Sequence, residues 1–257
     1  MLISTETLSR RDIEHWYRLA WYDSVINIKE ITNSAIAEIE KFITATPDAV
    51  CSVSWGKDSI VIAHLVRRIN PDIPLVWVPT IRKDGTSYEA AETYKVRDTF
   101  LGLFPGAYEE RPAVARNPKR GDPDYDEKQF SDPNYRPQNV LAENIKEPSI
   151  RGVRAKESSM RSNSRRWHGI STKNVSRPII DWTAAEVFAY LHQHDLPTHP
   201  AYAASYGGKI DREWLRVHSL RSNSKTSSVH FHDGQAWEDR YFPSLPQHVP
   251  IEDGKNH

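Results

Sequence analysis

The chain reads as an α/β protein built on a doubly wound, mostly parallel sheet. Three observations predict it. An apolar run, Ala49-Val50-Cys51-Ser52-Val53, passes through a small polar turn, Ser54-Trp55-Gly56-Lys57-Asp58-Ser59, into a second apolar run at 60–66. Another strand, Leu75-Val76-Trp77-Val78, follows, so that strand, helix and strand fit within about 30 residues, the size of a parallel βαβ unit. Strand and helix patterns then go on alternating, which is how doubly wound sheets are assembled. In such sheets the ligand sits beyond the C-terminal ends of the strands.

The elements follow in order. Residues 24–46 carry Ile26, Ile28, Ile31, Ile36, Ile39, Phe42 and Ile43 near helical spacing, which predicts an amphipathic helix. The strand at 49–54 and the helix after Asp58 come next. Pro74 and Pro79 bound the strand at 75–78. Thr86-Ser87-Tyr88-Glu89 is a capping-box pattern and predicts a helix running to roughly Leu101. Residues 107–111 read as a strand. Six prolines interrupt the polar stretch 112–148, which reads as a loop insertion near the active site. Residues 150–153 read as a strand. A second capping box, Thr183-Ala184-Ala185-Glu186, opens a helix to Gln193, and Pro197 and Pro200 stop it. A helix near 211–220 and a polar tail complete the chain. The expected organisation is one nucleotide-binding domain over 1–202 and a C-terminal extension over 203–257.

Composition narrows the function. A chain of 257 residues with 38% hydrophobic content and eight Trp buries a real core. Its formal net charge is zero, so no global field draws it to nucleic acid, although a local basic face remains open. The one cysteine, Cys51, lies inside the first strand. That excludes an internal disulfide and an iron–sulfur cluster held by four thiolates of one chain. The start of the chain lacks a signal-peptide pattern, and no apolar run approaches the ~20 residues of a membrane span. A cytoplasmic protein without a membrane partner is expected. His192 and His194, and likewise His230 and His232, lie two residues apart, not at the i, i+4 spacing of a zinc-binding dyad.

The turn at 54–59 carries the chemistry. Between a strand and a helix, backbone N–H groups and the helix dipole converge on one point and favour an anion there. Gly56 lets backbone come close, Ser54 and Ser59 add hydroxyls, and Lys57 adds a charge. Neither the G-x-x-x-x-G-K-[ST] loop nor the G-x-G-x-x-G fingerprint is present. A second block, residues 149–161, places Gly152, Arg154, Glu157 and Arg161 after a strand. From 146 to 177 there are nine Lys or Arg against two Glu. Arginine forks pair bidentately with phosphate or sulfate oxygens. A third block runs Arg177-Pro178-Ile179-Ile180-Asp181-Trp182-Thr183, a helix, then Leu196-Pro197 and Pro200-Ala201-Tyr202.

The three blocks, in this order over roughly 49–202, resemble the phosphoadenosine-phosphosulfate (PAPS) reductase-like family of PP-loop ATP pyrophosphatases. The turn matches the S-x-G-x-D-S form of the PP-loop, with Trp55 where many members have Gly. The resemblance implies an adenine nucleotide α-hydrolase fold and binding of ATP with Mg²⁺. On this likeness Ser54, Trp55, Gly56, Lys57, Asp58 and Ser59 hold the phosphates, and Asp58 also serves as a magnesium ligand. Trp77 and Val78 meet the adenine. Gly152 and Arg154 lie on the ribose and phosphate side with Glu157 orienting Arg154, while Arg161 and Arg165 contact the anion. Lys57, Asp58, Arg154 and Arg161 form the catalytic set, and Asp181 braces a helix cap.

One departure decides the reaction. PAPS reductases use a cysteine near the C-terminus, and residues 203–257 contain none. Since the thiolate is the nucleophile in that chemistry, thiol-dependent reduction is not expected. Cleavage of ATP between its α and β phosphates remains, and it needs positioning and charge neutralisation more than a protein nucleophile. The closest match is the cluster-free ATP pyrophosphatase of DNA phosphorothioation systems, with a cysteine desulfurase as partner and DNA as acceptor. The alternatives are a sulfate adenylyltransferase small subunit and, without catalysis, a nucleotide- or DNA-binding module.

Overall fold

A computed structural model describes residues 1–81, 85–87, 89–114, 137–213, 215 and 217. Five strands form a parallel sheet: β1 Val50–Val53, β2 Leu75–Trp77, β4 Tyr108–Glu110, β6 Ser149–Arg151 and β7 Val175–Ser176. Their spatial order is β4-β2-β1-β6-β7. Cys51 lies opposite Leu75 on one side and Ile150 on the other. From β1 the chain steps outward to β2 and β4, then crosses back to place β6 and β7 on the far side. The reversal therefore falls between β1 and β6, where crevices open in doubly wound sheets. A smaller parallel pair, β3 Thr80–Ile81 with β5 Ala113–Val114, extends beyond β2 and β4.

Alternation along the strands separates two cores. Cys51, Val53, Leu75 and Trp77 join the larger one, and Val50, Val76 and Val78 the smaller. Helix α3, Lys57–Ile69, is buried from Lys57 through Arg67, so it is a core helix rather than an amphipathic surface one. Helices α2 (Lys29–Ala45), α4 (Ala91–Leu103) and α7 (Ala184–Gln193) also contribute side chains to the larger core. The opposite face is closed by Leu141 of α5 (Pro137–Asn144) and by Ile145. Helix α6 covers Ser159–His168. No helix of the described residues is long and apolar enough to cross a membrane.

Several expectations change here. The long helix expected over 24–46 is α2, and a further helix precedes it, α1 over Arg10–Ser24. Only Asp12, Trp16 and Asp23 of α1 are buried, so its sequence lacks an apolar stripe. The pattern Thr86–Glu89 does not start a helix, because α4 begins at Ala91. Glu89 Oε1 instead accepts the Thr80 N–H at 3.0 Å, and Ser87 Oγ accepts from Glu89 N–H and Tyr94 Oη, both at 2.9 Å. The segment caps β3 rather than α4. The stretch 112–148 is not a featureless loop, since β5 and α5 occupy its two ends. Its centre, 115–136, lies outside the described residues.

Thr183 does cap α7: its hydroxyl accepts the Glu186 N–H, and Glu186 Oε2 accepts the Thr183 N–H at 2.6 Å. Residues 203–213 pack onto α1. Asp12 Oδ1 accepts the Gly207 N–H at 2.8 Å, and Asp23 receives Arg212 through two 2.6 Å hydrogen bonds. Arg212 and Glu213 form a turn, not the start of a helix, and 218–257 lies outside the described residues.

Candidate anion site at the sheet reversal

The turn between β1 and α3 is built on a strained residue. Trp55 has φ of 58°, the left-handed region that bulky residues rarely enter. Its indole is fully buried, with ring centroids 5.7 Å from Phe100, 5.9 Å from Tyr108 and 6.3 Å from Trp77. Core packing holds the strained backbone in place. The Trp55 side chain is therefore an anchor, and only its backbone lines the turn. Ser59 ties the turn shut: its Oγ accepts the Ser54 N–H at 3.2 Å and donates to the Gly56 carbonyl at 3.0 Å. The Ser54 hydroxyl lies 3.4 Å from Ser59 Oγ.

Two glycines set how closely the elements meet. A Cβ on Gly152 would fall 2.4 Å from the Asp58 carbonyl oxygen, so only glycine lets the end of β6 rest on the first turn of α3. Gly152 thus sets how closely β6 packs on α3. A Cβ on Gly56 would lie 3.1 Å from Tyr202 Oη. That hydroxyl accepts the Lys57 N–H at 3.1 Å, so Tyr202 stands over the N-terminus of α3.

Charged side chains from three segments converge there. Lys57 Nζ lies 2.8 Å from Asp58 Oδ2, and Arg154 Nε donates to Asp58 Oδ1 at 2.6 Å. Glu157 Oε1 is 3.8 Å from Lys57 Nζ and 3.7 Å from Arg154 Nη2. Arg161 pairs with Glu157, whose Oε2 also accepts the Arg154 N–H in the 3₁₀ turn Ala155–Glu157. Glu213 Oε1 approaches Arg154 Nη1 at 3.7 Å. The side chains of Lys57 and Arg154 are 2% and 0% exposed, and burial of such charges requires the pairing seen here. Burial pushes the Asp58 carboxyl upward, but the charges and hydrogen bonds of Lys57 and Arg154 outweigh it and hold the group below the usual carboxylate range.

Arg154 is only half satisfied. Its Nη1 and Nη2 are buried and find no hydrogen-bond acceptor among the described residues. Contacts of 3.7 Å are ion pairs beyond hydrogen-bond reach. The guanidinium fork therefore presents two unused nitrogens beside Lys57, an arrangement suited to an oxyanion.

The structure brings together Ser54, Gly56, Lys57, Asp58, Ser59, Gly152, Arg154, Glu157 and Arg161 around this reversal, but not all the expected residues. Arg165 forks onto Asp181 at 2.7–3.0 Å, outside the contacts of this cluster. Trp77 packs on Tyr94 and under the Arg97 guanidinium, 5.8 Å from its ring. Val78 belongs to the smaller core. A magnesium role for Asp58 does not fit: each of its oxygens already faces a cation. Among the described residues no three His, Cys, Asp or Glu side chains group as a metal site. Two residues at the site were missed as functional, Tyr202 and Glu213. Tyr202 stood in the proline-x-tyrosine motif, whereas nothing local marks Glu213.

The residues of this cluster up to Tyr202 fall within the span shared with known proteins. The family model described as "Phosphoadenosine phosphosulfate reductase domain" matches residues 48–208, from just before β1 to beyond Tyr202. A phosphoadenosine 5'-phosphosulfate reductase of Synechocystis sp. is 27% identical over 190 residues, covering 69% of this chain and 74% of that protein. One from Xylella fastidiosa is 28% identical over 195 residues, covering 70% and 78%. An adenosine 5'-phosphosulfate reductase of Bacillus cereus is 28% identical over 171 residues, covering 62% and 69%. With its PP-loop turn, its Arg154 block and its Tyr202 motif all inside the matched span, the chain belongs to the phosphoadenosine phosphosulfate reductase domain family.

Proposed function

We propose that this chain cleaves Mg·ATP between the α and β phosphates to activate an acceptor for sulfur transfer. An acceptor oxygen attacks the α-phosphorus, the bridging P–O bond breaks, and pyrophosphate leaves with its electron pair. The observation that carries the reading is the Arg154 fork, whose two Nη nitrogens lie unused beside Lys57 at the start of α3. Those cations neutralise charge on the departing pyrophosphate, and the N-terminus of α3 adds its dipole. Asp58 and Glu157 hold the two cations in place. Magnesium arrives on the nucleotide as part of the substrate.

The relatives are named as reductases, but this chain has no thiolate to offer. Cys51 is its one cysteine, fully buried in β1, and burial pushes its thiol up to about 12. The family's nucleotide site without its thiol chemistry supports ATP cleavage, with a cysteine desulfurase as sulfur donor and DNA phosphorothioation as the setting. Incubation of the pure protein with ATP and Mg²⁺ tests the reaction. AMP and pyrophosphate are expected, and formation of ADP and phosphate in their place overturns the α–β assignment. Calorimetric titration with ATP shows separately whether the site takes the nucleotide.

A further inference from the structure

Helix α6 carries a surface that the anion site does not use. Its Trp167 and Met160 are the two most exposed large apolar side chains among the described residues, at 79% and 72%. They stand seven positions apart, two turns of helix, and so share one face, with Asn163 between them. An exposed tryptophan and methionine on one helix face leave that face open to a partner.

Charge identifies the partner. Helix α6 contains no carboxylate. Arg161 is engaged by Glu157 and Arg165 by Asp181. Arg166 on α6, with Lys156 before it and Lys173 after it, is exposed, and among the described residues none of these three has an ion-pair partner. A bare tryptophan next in sequence to the free Arg166, with Lys156 and Lys173 in the segments flanking the helix, suits an unpaired nucleic-acid strand. Each base offers a π face to the indole, and each phosphate offers an anion to Arg or Lys. A duplex hides those faces in its stack, and an acidic protein surface gives the indole nothing to stack on.

The surface is continuous with the anion site. Ser158, which caps α6, follows the turn Ala155–Glu157, and that turn follows Arg154. A strand lying along α6 is thereby led toward the Arg154 fork.

We propose that the outer face of α6, centred on Trp167 and Met160 and flanked by Arg166, Lys156 and Lys173, binds single-stranded nucleic acid by base stacking and phosphate contact. That this strand is the acceptor of the adenylate rests on the proposed function. The binding itself does not.

The test uses the full chain without ATP and a fluorescein-labelled oligothymidylate of about 15 nucleotides, within the range one such site covers. Anisotropy is read at several salt concentrations, and the thermal midpoint of every variant is read in parallel. Binding should weaken with salt, with a log–log slope of about −0.7 per phosphate contacted. Trp167→Ala should weaken it about tenfold, while Trp167→Phe retains most of it. Arg166→Glu should weaken it and lower the salt slope. Absent binding, binding indifferent to Trp167→Ala in a folded variant, or preference for duplex DNA, polyglutamate or anionic vesicles overturns the proposal. Strand binding without α–β cleavage of ATP overturns the proposed function and leaves this inference standing. Cleavage without strand binding does the reverse.

Discussion

Arg154 Nε and Asp58 Oδ1 meet at 2.6 Å although 96 residues separate them in the chain. The contact joins the segment after β6 to the first turn of α3, across the reversal of the sheet. Arg154→Ala removes the buried partner of Asp58 and Glu157, and loss of one member of such a pair costs about 3–5 kcal/mol. Urea denaturation should show that loss. Arg154→Lys should recover part of the stability, because the charge returns, but not ATP affinity, because the fork does not.

Gly152→Ala tests the same junction without altering any charge. The added methyl would lie 2.4 Å from the Asp58 carbonyl oxygen and 2.8 Å from the Ser59 Cα, both backbone atoms that cannot swing aside. Overpacking of this kind costs about 1–3 kcal/mol. Calorimetry should also show weaker ATP binding, since the start of α3 must shift to make room.

Glu213 places a partly exposed carboxylate 3.7 Å from Arg154 Nη1, where it competes with an incoming anion. Glu213→Gln should raise ATP affinity several-fold at low ionic strength. The gain should shrink at high salt, because an exposed carboxylate is screened by counterions. Titrations at two salt concentrations decide it, and unchanged affinity at low salt refutes competition.

Cys51 should be a spectator. Its buried thiol, pushed up to about 12, should resist maleimide until the protein unfolds. Cys51→Ala should keep ATP cleavage, and phosphoadenosine phosphosulfate with a dithiol reductant should release no sulfite.

Acid should unfold the protein through its buried histidines. Burial lowers His64 to about 4, with help from His194 and Arg68. Burial and then Arg212 lower His192 to about 4, and burial alone takes His199 to about 3. Each folded value lies below the unfolded one, so the unfolded chain binds more protons in acid. The stabilisation is complete above about pH 6.5 and is lost as pH falls toward about 4. Asp58, also lowered, adds to the loss at the acid end. Thermal midpoints from pH 7 to pH 4 should fall throughout, and a flat profile contradicts the burial of these rings.

Legibility in the sequence followed the range of the interaction. The turn at 54–59 was visible because strand, turn residues and helix are contiguous. The Thr183–Glu186 box was visible because its two hydrogen bonds close within four residues. The same pattern at Thr86–Glu89 misled, because Glu89 found the Thr80 N–H nine residues back. Helix α1 was missed because its buried positions include two aspartates, Asp12 and Asp23, which are held in part by Gly207 and Arg212, more than 180 residues downstream. Arg165 looked equivalent to Arg154 in a basic run, and composition alone cannot say which carboxylate each arginine meets, Asp58 for Arg154 and Asp181 for Arg165.

By itself the sequence determined the order of strands and helices, the chemistry available at each strand end, and the absence of a second thiol. Those properties depend on neighbours along the chain. The tertiary structure alone decided that β6 lies beside β1, and with it that Arg154, Glu157 and Glu213 surround Lys57 and Asp58 while Arg165 pairs with Asp181. Opposite charges attract over a few ångströms of space whatever their distance in sequence, so only the folded sheet could choose the pairs.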